Sequence, residues 1–152
     1  RDLHSFPTRR SSDLLVKLAE AIASNVNADI EEIIPKTTYK GKIGYARGGK
    51  DAISSKVIDL ETQKYNPEDY DMVYLGCPVW ASRPATPLYS YIKNNEGKFK
   101  NVKFFATAGS SGFEGTFKHM EEASIKPQKT LALTTKEVKK DLFEDKLSSF
   151  LE

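Results

Sequence analysis

Apolar residues follow two different periods along this chain of 152 residues. From Leu15 to Val26 they recur at steps of three and four, which predicts a helix with one apolar face that ends near residues 25–27. Short apolar runs predict four strands, over residues 30–34, 71–75, 102–107 and 129–134. Further helices are predicted over residues 51–56, from Thr86 with Pro87 at its start, around Phe117, and over 138–151. Strands that alternate with helices form βαβ units, so the pattern predicts an α/β fold with a parallel sheet.

The beginning of the chain does not fit this order. A leading strand is expected, because it makes the first βαβ crossover, yet the first regular element is the helix from Leu15. Residues 1–14 show neither period, are rich in Ser and Arg, and resemble the in-frame translation of a common sequencing adapter over all fourteen positions. We therefore expect residues 1–14 to be an artefact outside the domain and residues 15–152 to form one domain. A natural disordered tail or a basic targeting segment is the alternative.

Composition narrows the class of protein. Hydrophobic residues make up 39% and charged residues 29% of the chain, as in ordinary globular proteins. The apolar runs are too short to cross a bilayer, and the single cysteine, Cys77, fits a reducing compartment, so a cytoplasmic protein is expected. The net charge is +2, and Lys alternates with Asp and Glu, which argues against a nucleic-acid or membrane partner. The oligomeric state stays open.

Two strand-to-loop segments resemble a known family. Asp69–Trp80, followed by residues 83–87, leads a buried strand into Pro-Val-Trp, and residues 104–112 lead the next strand into a loop of Gly and Ser. Together with residues 39–52, they resemble small proteins of the flavodoxin family, and the likeness covers residues 15–152. It implies a flavodoxin-like doubly wound parallel sheet in the order 2-1-3-4-5, with strand 1 missing here and FMN at the switch point.

The resemblance places the FMN ring against the two loops. The cofactor-binding residues that it implies are Pro78, Val79, Trp80, Ala81, Ser82 and Arg83 in the first loop, and Thr107, Ala108, Gly109, Ser110, Ser111 and Gly112 in the second. From its position alone, Trp80 is either a ring-flanking side chain or a core aromatic. The small residues of the second loop let the backbone approach a planar ligand, although a flexible turn has the same composition. No phosphate-binding residue is assigned, because the family's phosphate loop has no match here.

The other reactive side chains are given no catalytic or metal-binding role. Cys77 at a buried strand end is expected to act as a small hydrophobe, and His119 as a solvated helix residue. The sequence offers no metal-ligand spacing, and no catalytic residue is predicted. Tyr39 and Tyr45 are either rim aromatics or anchors packed on the sheet.

Three functions follow from the resemblance. The first is an FMN-binding protein in electron transfer, which serves a redox partner protein or a small electron acceptor. The second is a small FMN-dependent NAD(P)H or quinone reductase. It is favoured by the near-neutral charge, since flavodoxin carriers are typically acidic and use that charge to steer encounters. The third is that the chain, without strand 1 and the phosphate loop, has no competent FMN site. Whether the protein is an enzyme stays open.

Overall fold

The computed structural model describes residues 2–4, 9–36, 39 and 41–152, with backbone alone for residues 2–4 and 9–12. The strands are β1 (Asp2–His4), β2 (Glu31–Ile33), β3 (Val73–Trp80), β4 (Arg83–Pro84), β5 (Val102–Ala108) and β6 (Thr130–Thr134). The helices are α1 (Arg9–Val26), α2 (Gly41–Ile53), α3 (Thr86–Asn94), α4 (Phe113–Ala123), α5 (Thr135–Lys139) and α6 (Glu144–Leu151), with a 3₁₀ turn at Pro67–Asp69. None of the helices described is long and apolar enough to cross a membrane.

The sheet has the order β2-β1-β3-β5-β6, and β4 pairs with the end of β3. All neighbours in that order are parallel, as the alternation of strands and helices predicts. Strand β1 lies between β2 and β3, where its three residues pair with Glu31–Ile33 and Asp2 also pairs with Leu75. The expectation that strand 1 is missing was therefore wrong for this structure. The sequence pattern could not show the strand, because only one of its three residues is apolar.

Helix α1 begins at Arg9, six residues before the predicted start at Leu15, and ends at Val26 as expected. Residues 9–14 therefore belong to the same continuous helix as the amphipathic stretch that follows. Leu15, Leu18 and Ile22 on that stretch are buried, which confirms its predicted apolar face. The structure does not test where residues 1–14 come from, and their origin stays a prediction.

The core consists of two layers, one on each face of the sheet, because successive side chains of a strand point to opposite faces. On one face, Tyr74 of β3 and Phe105 of β5 pack with α1, α5 and α6. On the other face, Leu75 and Cys77 of β3 and Phe104 of β5 pack with α3 and α4. Central strands covered on both faces explain the near-continuous apolar runs in the sequence.

Three predicted boundaries were wrong. The helix predicted over residues 51–56 begins ten residues earlier, at Gly41, and ends at Ile53. The helix predicted over 138–151 is two helices, α5 and α6, because the chain turns at residues 140–143, where Asp141 has φ 53°. Strand β3 continues to Trp80 instead of ending at residue 75.

Candidate functional site

The two predicted loops meet at the carboxyl ends of neighbouring strands. Strands β3 and β5 are paired in parallel from Val73 with Val102 to Pro78 with Thr107. The segments that follow these last pairs therefore leave the sheet side by side. In open α/β sheets this edge is where ligands bind, at the point where the strand order changes direction.

A cavity of about 380 Å³ lies at this edge, a size typical of small-molecule sites. Three helices and two strand ends surround it. Its lining residues are Leu14, Tyr45, Ala46, Gly48, Gly49, Pro78, Val79, Trp80, Ala81, Thr107, Ala108, Gly109 and Thr135. None of these described lining residues is charged, so the cavity suits a flat, largely uncharged group.

The structure brings together seven of the twelve sequence-predicted residues in the cavity lining. These are Pro78, Val79, Trp80, Ala81, Thr107, Ala108 and Gly109. The other five, Ser82, Arg83, Ser110, Ser111 and Gly112, are not part of the lining. Ser82 instead packs against the start of α4, where a Cβ on Gly115 would lie 2.7 Å from the Ser82 carbonyl oxygen.

Trp80 is half-buried and held from two sides. Its ring packs edge-on against Tyr39, with the ring centroids 5.2 Å apart and the planes at 66°. On α2, a Cβ added to Gly48 would lie 3.2 Å from the indole, so a glycine is what lets the helix approach the ring this closely. The indole thus packs on its neighbours and also lines the cavity, while its place beside a flavin ring stays a prediction.

A buried hydrogen bond between Tyr39 and Asp51 stabilises the packing of Tyr39 and α2 against Trp80. The Tyr39 hydroxyl donates to Asp51 Oδ2 at 2.8 Å, and both residues are buried. Arg47 Nε and Lys56 Nζ lie 4.0 and 3.8 Å from the Asp51 carboxylate, so its charge is compensated. Burial, followed by the hydrogen bond and the charge of Asp51, raises the pKa of Tyr39 well above its ordinary value. Tyr39 thus stays a neutral donor and fixes the position of α2 beside Trp80.

Arg83 faces away from the cavity, towards α4. Its Nη1 lies 3.3 Å from His119 Nδ1, which in turn lies 2.7 Å from the Gly115 carbonyl oxygen. His119 is half-buried, so it is not the fully solvated helix residue that the sequence suggested. No group of three or more His, Cys, Asp or Glu side chains that could hold a metal ion occurs among the described residues.

The sequence pattern does not show that α1, through Leu14, and the helices α2 and α5 contribute to the cavity wall. Tyr45, Ala46, Gly48 and Gly49 come from α2, which was expected to be a loop, although Tyr45 had been considered as a rim aromatic. Thr135 begins α5, and its hydroxyl donates to the Ala108 carbonyl at 3.2 Å, which ties that helix to the second loop. No pattern in the sequence pointed to Thr135, because its role depends on the packing of β6 beside β5.

Comparison with known proteins assigns the family. A sequence model described as flavodoxin matches residues 9–152. The chain belongs to the flavodoxin family. The resemblance carried by the two loops is thereby confirmed, and the match extends over residues 9–14 as well. No curated protein sequence matches the chain.

Solved structures similar to this flavodoxin-family chain show the same fold. A flavoprotein from Lactobacillus acidophilus NCFM, solved in complex with FMN, is 23% identical, with a TM-score of 0.65 over 91% of this chain and 94% of its own. A protein from Bacteroides uniformis ATCC 8492, described as a flavoprotein, is 21% identical, with a TM-score of 0.71 over 95% of this chain and 98% of its own. A similar protein from Bacteroides eggerthii DSM 20697 is 19% identical, with a TM-score of 0.70 over 97% and 96% of the two chains.

Proposed function

We propose that this protein binds FMN and serves in electron transfer. The observation that carries the proposal is the uncharged cavity at the carboxyl ends of β3 and β5, with Trp80 in its wall. Membership of the flavodoxin family supports the choice of ligand, as does the FMN complex of the similar protein from Lactobacillus acidophilus. FMN, when bound, supplies the redox chemistry, while the protein positions the ring and excludes water from it.

The described residues fit the ring of FMN. Gly49 and Gly109 both line the cavity, and a Cβ at either position would meet no atom within 4 Å. Open space next to backbone suits a flat ligand that contacts main-chain groups, and the Trp80 indole offers an aromatic wall. The family holds the phosphate between the first strand and the first helix. Here that segment is residues 5–8, which lie outside the described residues, so no phosphate ligand is assigned.

Titration of FMN into the apo chain, followed by quenching of flavin fluorescence, tests binding. We expect Trp80→Ala to weaken FMN binding about tenfold, since a lost aromatic contact costs on the order of 1.4 kcal/mol. Tyr65→Ala is the matched control, because Tyr65 packs on Tyr70 and not on the cavity. Equal dissociation constants for both variants and the original chain would refute the assignment of the ring to this cavity.

The reductase alternative makes a different prediction for the same holoprotein. Its support is the near-neutral charge, which suits a small-molecule substrate better than charge-steered protein encounters. Anaerobic mixing with NADPH alone should leave the flavin absorbance unchanged if the protein is a carrier. Rapid bleaching by NADPH, followed by turnover with a quinone, would establish the reductase instead. A redox protein or a small electron acceptor remains the proposed partner in a cytoplasmic setting.

The third alternative is that the chain with residues 1–14 as given binds FMN poorly. It is supported by the absence of a Ser/Thr/Gly phosphate loop from the sequence before α1. Parallel titrations with FMN and riboflavin separate the possibilities, because the two ligands differ only in the phosphate. If a phosphate site is present, the dissociation constant of FMN should be more than about tenfold lower than that of riboflavin. This corresponds to more than about 1.4 kcal/mol of binding free energy. Equal and weak binding of both would support the third alternative.

A further inference from the structure

The outer side of α2 carries large apolar and basic side chains next to the cavity. Ile43 is 86% exposed, Tyr45 74% and Ile53 61%, which is unusual for side chains of this size on one helix. Three cations share this exposed surface. We call it the α2 face, and it consists of Lys42, Ile43, Tyr45, Arg47, Lys50 and Ile53. Exposed apolar side chains that are grouped together and rimmed by charge are typical of an interaction surface.

The charge of the α2 face is of one sign. The only acidic residue of α2 is Asp51, which is 5% exposed and points inward to Tyr39. Arg47 lies 4.0 Å from that carboxylate, so part of its charge is neutralised. Lys42 and Lys50 have no ion pair among the described residues and leave the outer surface positive. Such a surface attracts an acidic partner and repels a basic one.

The α2 face is continuous with the mouth of the cavity. Tyr45 belongs to both, and Ala46 and Gly49 on the same helix line the cavity directly. Lys42 is one turn before Ala46, and Lys50 is one turn after it, so both cations flank the cavity wall along the helix. A protein that covers this face therefore also covers the cavity, and its redox group comes close to the ring that the cavity holds.

We propose that the α2 face docks an acidic redox protein that exchanges electrons at the cavity. This inference rests on the proposed function, because the cavity must hold FMN for the exchange to occur. A second copy of the chain is disfavoured as the occupant, since a symmetric dimer through this face would bring Lys42 and Lys50 against their equivalents. An anionic membrane is disfavoured as well. The buried apolar face of α2 already packs on β3, β4 and α3. Only a few exposed apolar side chains of this helix therefore remain that could insert into a bilayer.

Stopped-flow electron transfer from a reduced, acidic [2Fe–2S] ferredoxin to the FMN-loaded protein tests the proposal. We expect the double variant Lys42→Glu/Lys50→Glu to lower the second-order rate constant at least about tenfold at low ionic strength. The rate of the original chain should fall as salt is added, while that of the variant should not. The matched control is Lys100→Glu/Lys126→Glu, two exposed lysines that precede β5 and β6 at the opposite edge of the sheet. The control should stay within about twofold of the original chain.

Two further measurements test the docking surface independently of the proposed function. Binding of the oxidised ferredoxin is measured by calorimetry on the chain with and without FMN, so that the docking surface is tested even if FMN does not bind. The affinity for FMN, measured by quenching of flavin fluorescence, should be unaffected by Lys42→Glu/Lys50→Glu, which would show that the cavity is intact. Failure of FMN titration refutes the proposed function, whereas equal ferredoxin binding by the two double variants refutes the docking face.

Other occupants would also overturn the proposal. Tighter binding of basic cytochrome c than of the ferredoxin in the same calorimetry would show that the α2 face does not select an acidic partner by charge. A dimer that disappears in Lys42→Glu/Lys50→Glu would assign the face to a second copy. Sedimentation with vesicles containing anionic phosphatidylglycerol, in the absence of ferredoxin binding, would assign it to a membrane.

Discussion

Cys77 lies in the middle of β3, fully buried, paired in register with Ala106 of β5. Burial raises the pKa of its thiol to about 12, and a backbone hydrogen bond with Ala85 offsets only part of this effect. The thiol is therefore neutral at physiological pH and packs as a small hydrophobe, as the sequence suggested.

The raised pKa of Cys77 predicts a stability change at alkaline pH. In the unfolded chain the Cys77 thiol titrates at about 8.5. The stability that the folded state gains from keeping this thiol neutral is therefore complete below that pH and is lost as the pH rises towards 12. Between pH 8.5 and pH 10 the original chain should lose about 1.6 kcal/mol of unfolding free energy beyond any loss shown by Cys77→Ala. Urea denaturation at the two pH values measures the difference. Parallel losses in both proteins would contradict a buried thiol at this position.

Individual aromatic residues show what the sequence could and could not decide. Tyr39 and Tyr45 were each expected either at the rim of the site or as an anchor on the sheet. The structure gives one role to each, since Tyr39 is buried against Asp51 and Trp80 while Tyr45 is exposed and lines the cavity. Spacing on one helix or loop cannot decide this, because the outcome depends on which side of α2 faces β3.

At the scale of elements, α2 is the largest departure from the sequence prediction. Four glycines in thirteen residues give it a low intrinsic helix propensity, which favoured a loop. Packing reverses the preference, because a Cβ on Gly44 would overlap the Tyr39 backbone and one on Gly48 would crowd Trp80. Gly48 and Gly49 therefore belong to the wall of the site, whereas helix propensity accounts only for what glycine costs the helix.

The strands and the two loops, in contrast, were predictable. Their apolar runs are long enough to be buried on both faces, and the Gly/Ser segment follows β5 directly, whereas Pro-Val-Trp forms the end of β3. What could not be predicted is the turn after Trp80. Val79 pairs with Pro84 and Trp80 with Arg83, so Ala81 and Ser82 form a two-residue hairpin loop with φ of 50° and 60°.

The hairpin loop predicts a stabilising substitution. Positive φ at two consecutive residues suits Asn-Gly, whereas Ala and Ser with a Cβ are strained there. Ala81→Asn combined with Ser82→Gly should raise the unfolding free energy by about 1–2 kcal/mol in urea denaturation. Ser110→Gly is the control, because Ser110 is an exposed loop residue whose φ is not positive. This change should therefore not raise the unfolding free energy. A less stable double variant would indicate that the turn has another conformation.

At the scale of the whole molecule, the short strand β1 joins β2 to the rest of the sheet. Its pairing with β3 is a single residue pair, Asp2 with Leu75, whereas β3 and β5 are paired over six. The alternation of helices and strands predicted the other four parallel strands, β2, β3, β5 and β6. It could not predict β1, because only one of the three residues of β1 is apolar.

The position of β1 makes residues 1–14 testable as part of the domain. A parallel strand with a partner on each side usually carries aliphatic residues, and Asp2-Leu3-His4 has one in three. Asp2→Val/His4→Val should therefore raise the unfolding free energy by at least about 1 kcal/mol. Glu32→Val is the control, since Glu32 is exposed on β2 and its replacement should change stability by less than about 0.5 kcal/mol. If the double substitution has no effect, residues 2–4 do not form a buried strand of the domain.

Trp80 has one more consequence, which is spectroscopic. It is the only tryptophan among the 152 residues, and it stands in the cavity wall against Tyr39 and Gly48. Indole emission from this protein therefore comes from one place, without background from any other tryptophan. Its intensity and wavelength report directly on occupancy of the cavity and on the packing of α2, so the chain carries its own optical probe without any label.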